Sequence, residues 1–235
     1  MVPVWVGVYL ANGPERHPSH DMSKYLIPVS GDRLPRRLAH LIVGLVLFGI
    51  GIGLMLQSDL GVPPWDVLHQ GLARRFGMSV GVWSIIVSVG VLVLWLPLRE
   101  PYGLGTLFNA VIIGVVIDFT ALVLPEANST GVAWVMLIGG VVMIGIASGL
   151  YIGANLGPGP RDGLMTGIAR MGPSIRLTRA AIEIAVLTAG WILGGTLGIG
   201  TLVFALGIGP MVQYFMPRLN LATTVEIDPF EHPAR

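Results

Sequence analysis

The chain has 235 residues, and only 27 of them are charged: 14 Lys or Arg and 13 Asp or Glu. That 11% is far below the roughly 25% of ordinary soluble domains; with 53% hydrophobic residues and a mean hydropathy of +0.76, it excludes a soluble globular class. A net charge of +1 offers no footprint for nucleic acid, and the absence of cysteine excludes disulfides, thiolate metal sites and a cysteine nucleophile.

In chain order, residues 1–33 come first and differ from the rest, with Pro3, Pro14, Pro18, Pro28 and a polar stretch from Asn12 to Lys24. The apolar start lacks a basic n-region and is too short to span a bilayer, so it is a poor signal peptide. The segment reads as a mobile cytoplasmic extension, with Met22 as an alternative start. Beyond it lie uncharged runs at 41–58, 76–98, 131–159 and 184–217, which reach or pass the roughly 18 apolar residues of a spanning helix. The expected fold is all-α and polytopic, with six spans at 38–57, 79–97, 104–124, 132–153, 175–194 and 200–216. Two shorter segments, 63–76 and 159–171, follow spans one and four. At about 21 Å each they fall short of the roughly 30 Å hydrocarbon core, so they read as half-helices that enter a protein-lined cavity or lie at the interface. Residues 220–235 form a polar cytoplasmic tail.

The chain also repeats itself. Gly49-Ile50-Gly51-Ile52-Gly53-Leu54 matches Gly145-Ile146-Ala147-Ser148-Gly149-Leu150 at an offset of 96. The match runs on through the short segments: Leu60, Gly61, Pro64, Asp66, Leu68, Gly71 and Arg74 correspond to Leu156, Gly157, Pro160, Asp162, Leu164, Gly167 and Arg170. At an offset of 95, Gly103, Gly105-Thr106 and Gly114 then match Gly198, Gly200-Thr201 and Gly209. Two homologous membrane repeats are expected, 34–125 and 126–219. The pattern Leu-Gly-x-x-Pro-x-Asp-x-Leu-x-x-Gly followed by Gly-x-Gly-Thr resembles the YczE/YitT group of bacterial integral membrane proteins, and the likeness covers 34–219. The YczE branch is the closer fit, since the YitT branch usually adds a soluble C-terminal domain. The resemblance implies a multi-helix inner-membrane protein and brings no settled substrate or activity.

Charge gives two topologies. Three spans per half make the halves inverted, with both termini cytoplasmic and 12 of the 14 basic residues inside, Arg74 and Arg75 apart. Eight full crossings make the halves parallel with the same 12-to-2 split. Segment length favours the inverted form.

The paired motif Pro63-Pro64-Trp65-Asp66 and Gly159-Pro160-Arg161-Asp162 has two readings. Proline suits the first helical position, and aspartate at the third meets free N–H groups and the positive end of the helix dipole. An ionised carboxylate near a bilayer core is also a functional candidate, because broken helices of this kind hold substrate in many secondary transporters. In that reading Trp65 and Arg161 tune the two sites differently. Arg161 would compensate Asp162, so Asp66→Asn would cost more activity than Asp162→Asn. Asp118, in span three, has Gly114 and Leu122 at i−4 and i+4; its partner must come from another helix, a water or a proton, and it is the candidate coupling residue. Asn109 lies nine residues earlier; the second half carries Gln213 and Phe204 at the two places. Glu183 either pairs with Arg179 at i, i+4 or belongs to the site. His69 reads as a packed or solvated imidazole, or as a group that titrates near the first half-helix. Glycine rows 49/53, 145/149/153 and 190/194/198 read as helix-packing faces.

No phosphate loop, metal spacing or catalytic constellation is present, so no cofactor and no enzyme activity are expected. Two function classes lead: a small-solute transporter or permease driven by a solute or proton gradient, and a membrane-embedded accessory or binding subunit. A homodimer in mild detergent fits the first, and co-purification with a partner protein fits the second.

Overall fold

The structure, a computed structural model, describes residues 34–221. The expected extension (1–33) and all of the tail beyond Leu221 lie outside the described residues. Eight α-helices follow one another: α1 (Leu34–Ser58), α2 (Pro64–Phe76), α3 (Val80–Leu98), α4 (Leu104–Val123), α5 (Thr130–Gly153), α6 (Pro160–Ala169), α7 (Ile175–Ile192) and α8 (Ile199–Leu219). Five of them, α1, α3, α4, α5 and α8, are long and apolar enough to cross a membrane. The expected fifth span, α7, has 18 residues and carries Arg176, Arg179 and Glu183.

Local sequence explains where each helix starts. The side chains of Ser79, Ser129 and Ser174 accept the backbone N–H three residues on, capping α3, α5 and α7. Pro64 and Pro160 open the two short helices, where a missing N–H leaves nothing unsatisfied. The helix α7 ends at Ile192, so Gly194 and Gly198 do not share a helix face with Gly190. Gly194 turns the chain at φ +97°, and Gly198 is the N-cap of α8.

The centre is a pair of antiparallel helices. Gly44 of α1 meets Ala147 and Tyr151 of α5, whereas Gly51 meets Ile144 and Gly140. Leu45, Ile52, Met55, Leu137 and Ile144 fill this contact and are fully buried. Each central helix carries a parallel companion. Gly49 of α1 abuts Val116 of α4, and Gly53 abuts Thr120, where Cβ atoms built on the glycines would lie 2.6 and 2.5 Å away. Gly145, Gly149 and Gly153 of α5 abut Met211, Phe215 and Leu219 of α8 in the same order. Hydrocarbon lipid gives little drive for helices to associate, so the glycines matter by letting backbones close to van der Waals contact.

The short helices dock across the middle of the chain. Gly71 of α2 packs on Gly190 of α7, and Gly163 of α6 lies against the buried Trp95 of α3, whose indole N–H donates to the Pro160 carbonyl at 3.0 Å. The turns before them are held reciprocally. Thr106 at the start of α4 donates to Pro158 O at 2.7 Å, and Thr201 at the start of α8 donates to Val62 O at 2.9 Å. Gly105 N and Gly200 N donate to Leu156 O and Leu60 O, both at 2.7 Å. Gly61 and Gly157 stand at φ +117° and +121°, in the left-handed half of the map where a side chain is strained, and each faces the threonine that holds its turn. Each half thus holds the turn of the other.

Removing either hydroxyl strands a buried carbonyl. Thr106→Val and Thr201→Val should each cost about 1–3 kcal/mol, visible as lower unfolding midpoints in detergent, whereas Ser substitutions should cost much less. Equal losses for Val and Ser would mean the methyl packing matters and the hydroxyl does not.

Candidate functional site between the short helices

Asp66 and His69 lie one turn apart on α2, with side chains 0% exposed. The ring Nδ1 stands 3.0 Å from Asp66 Oδ1. From α6, Arg161 reaches across so that its guanidinium nitrogen is 3.7 Å from the same oxygen. Its carbon lies 5.2 Å from the centre of the Trp65 ring, a cation–π position. Arg161 therefore compensates the aspartate of the other half, and not Asp162 as the sequence suggests. Asp162 instead accepts a 2.8 Å hydrogen bond from the Tyr151 hydroxyl on α5.

The arrangement can carry a buried charge because it is built from opposites. An ionised carboxylate taken out of water costs several kcal/mol unless paired. Asp66 has Arg161, His69 and the positive N-terminus of α2 to offset that cost. Three buried polar atoms of this cluster still lack a hydrogen-bond partner among the described residues: Asp66 Oδ2, His69 Nε2 and Trp65 Nε1. Buried polar groups are normally satisfied, so unpartnered atoms on adjoining residues mark a place where a further group can bind.

The other candidates fall around this centre. Gly61, Pro64, Gly157 and Pro160 form the turns and first helical residues that aim α2 and α6. Asn109 of α4 stands with its amide against Gly159, the N-cap of α6. Glu183 pairs with Arg179 at 2.8 Å on α7, the i, i+4 pair its spacing suggests, and Arg179 is within electrostatic range of Asp162. Asp118 is elsewhere. Its partner is indeed on another helix: Oδ2 accepts from Ser79 Oγ at 2.5 Å and Oδ1 from Gly81 N at 2.8 Å, so it caps α3. A cavity of about 320 Å³ opens there, at the C-terminal ends of α1, α2 and α4, lined by Asp59, Gln70, Arg74, Asp118 and Glu126 among others. Its lining reaches Gln70, which follows His69 in the chain.

The sequence leaves His69 open between a packed imidazole and a titrating group, and it gives no sign of Tyr151. The i, i+3 spacing of Asp66 and His69 on one helix face was the available signal. No spacing ties Tyr151 to Asp162; only the return of α6 against α5 brings them together. The cross-half pair of Glu100, in the α3–α4 connection, with Arg170 at the end of α6 was likewise silent in the sequence.

Comparison with known proteins covers nearly all of the described region. Residues 35–217 match the model of a family described as "Family of unknown function (DUF6198)". The chain belongs to this family. It is 37% identical over 197 residues to an uncharacterized protein of Haemophilus influenzae, covering 83% of this chain and 89% of that one. It is also 37% identical over 180 residues to the uncharacterized membrane protein YczE of Bacillus subtilis, covering 74% and 83%. A third relative, the uncharacterized protein YyaS of Bacillus subtilis, is 31% identical over 181 residues, covering 74% and 90%. No solved structure matches. The motif-based resemblance to the YczE type is thereby shown, and the family member described here is an all-α, polytopic membrane protein.

Proposed function

We propose that this protein is a small-solute secondary transporter or permease of the bacterial inner membrane, with its site between α2 and α6. The observation that carries the reading is the meeting of two short helices from different halves through Arg161 and Asp66, around buried polar atoms that lack partners. Broken or short helices whose termini meet at mid-membrane are a recurrent way to bind solutes and ions in transporters.

The reading takes the membrane topology as six crossings with inverted halves and both termini cytoplasmic. The parallel run of α1 and α4 supports three crossings per half, because a full crossing by α2 would set α1 and α4 antiparallel. The antiparallel α1–α5 pair supports the inversion. In this topology α7 supplies the fifth of the six crossings, its Arg179–Glu183 pair reducing the cost of its charges, and the cavity beside Asp118 faces outward. A solute would pass from it toward the α2–α6 site, and rocking of one half on the other would open the site to the cytoplasm.

Proteoliposomes with purified protein, screened for uptake of a panel of small solutes with and without a proton gradient, test this. Uptake above protein-free vesicles, lost in Asp66→Asn, is the expected result. If no solute moves and the deletion phenotype follows the stability of a co-purifying protein, the chain is an accessory subunit.

A further inference from the structure

We propose that Asp66 and His69 form the proton-carrying site of this protein, with Arg161 as the counter-charge that answers to it; this names the coupling ion of the transporter reading and rests on that reading for its role in transport. An ionised carboxylate can only accept hydrogen bonds. Beside an ionised Asp66, the His69 Nδ1 at 3.0 Å therefore carries a hydrogen. In the neutral ring Nε2 then has a free lone pair, and this atom is buried with no partner among the described residues.

A proton arriving there forms one N–H bond and creates an imidazolium, whose charge Asp66 matches. The O–H bond of the hydronium ion that delivers the proton breaks, leaving water; no other covalent bond changes, and release reverses the step. Before the proton arrives, Asp66 depends on Arg161 at 3.7 Å. Afterwards the carboxylate has a second cation at hydrogen-bond distance, so its hold on Arg161 weakens. That hold ties α2 to α6, one from each half. Proton uptake thus loosens a tie between the halves.

Among the described residues, the other charges on the helices packed against α2 are engaged elsewhere. From α6 come Arg161 and Asp162, and Asp162 is occupied by Tyr151 of α5. From α7 come Arg179 and Glu183, paired with each other. The sequence of α3 has no titratable side chain. Asp118, the coupling candidate from sequence, has both oxygens engaged in capping α3. The outward cavity, whose lining includes the neighbouring Gln70, offers a side from which a proton can approach.

The test needs no solute. In the full chain, His17, His20, His40 and His232 are replaced by Gln, so that His69 is the remaining one of five histidines. The protein is labelled with ¹⁵N-histidine in lipid vesicles, and the ring is followed by solid-state NMR between about pH 8 and pH 5, the range in which histidine titrates. The expected result is conversion from the Nδ1–H tautomer to a doubly protonated ring. In Asp66→Asn the midpoint should move to at least tenfold higher proton concentration. A ring that stays in one state, or a smaller displacement, overturns the proposal. As a second measure, acid titration of the purified protein with native histidines should lose about one proton per chain in His69→Asn, which keeps a donor for Asp66 but has no basic nitrogen to take up a proton; an unchanged count also overturns it. If the ring titrates as stated but no solute is taken up by proteoliposomes, the proton site stands and the transporter reading fails.

Discussion

Arg161→Ala should destabilise the protein by about 3 kcal/mol, in the range found when one partner of a buried ion pair is removed. The cost arises less from lost attraction than from Asp66, which is fully buried and, among the described residues, would keep His69 and the N-terminus of α2 alone to offset its charge. Removing the stranded charge should therefore help: Asp66→Asn combined with Arg161→Ala should be more stable than Arg161→Ala alone, with a coupling of at least about 1 kcal/mol. Graded SDS unfolding in mild detergent micelles measures both. Arg75, exposed near the end of α2, is the control, and its alanine variant should be near neutral. If Arg161→Ala is no worse than Arg75→Ala, or if the double variant is simply additive, Arg161 and Asp66 are not a functional pair.

The second large effect is expected at Gly81. Its backbone lies against Gly114 of α4, and a Cβ built on Gly114 would sit 2.5 Å from Gly81 O. A Cβ on Gly81 would overlap the Gly114 carbonyl and crowd Asp118. Gly81→Val must therefore push α3 off α4 and break the cap formed by Asp118. A loss of about 3 kcal/mol is expected, at the upper end of ordinary overpacking because backbone has to move. The second half gives the control. Ser79 and Ser174 cap α3 and α7 equivalently, which sets Arg176 where α3 has Gly81. An arginine does not allow that close approach, and α7 does not pack along α8 as α3 packs along α4. Gly209, the counterpart of Gly114, has open space around its would-be Cβ. Gly209→Val should be near neutral in the same unfolding assay. Comparable losses at the two positions would mean that α7 and α8 close on each other in the membrane.

This contrast also shows where sequence reasoning reached and where it stopped. Helix positions were legible because charge-free runs of bilayer length admit little else, and serines, prolines and glycine–threonine pairs fix helix starts locally. The expectation of two halves rests on the same glycines, prolines and aspartates recurring at offsets of 96 and then 95. What one half does to the other was hidden. Arg161 sits next to Asp162 in sequence, yet its long side chain reaches Asp66 across the docking of α6, and only the three-dimensional return of the chain decides between the two. Asp118 likewise looked isolated because its partners, Ser79 N-terminal to α3 and the backbone of Gly81, lie on the preceding helix, out of reach of any i±4 argument. The row of Gly190, Gly194 and Gly198 misled for a local reason, since α7 stops two residues before Gly194. Spacing alone does not show where a helix ends.

The proposed function depends most on an inversion of the two halves, which would let equivalent short helices meet from opposite directions. Met78 follows α2 and Met171 follows α6, and they are 58% and 74% exposed. The chain has no cysteine, so a single cysteine at either position is labelled without background. A membrane-impermeant thiol reagent applied to intact spheroplasts should label Met78→Cys and leave Met171→Cys unlabelled until the membrane is opened. Labelling of both from the same side would contradict inverted halves and require eight full crossings.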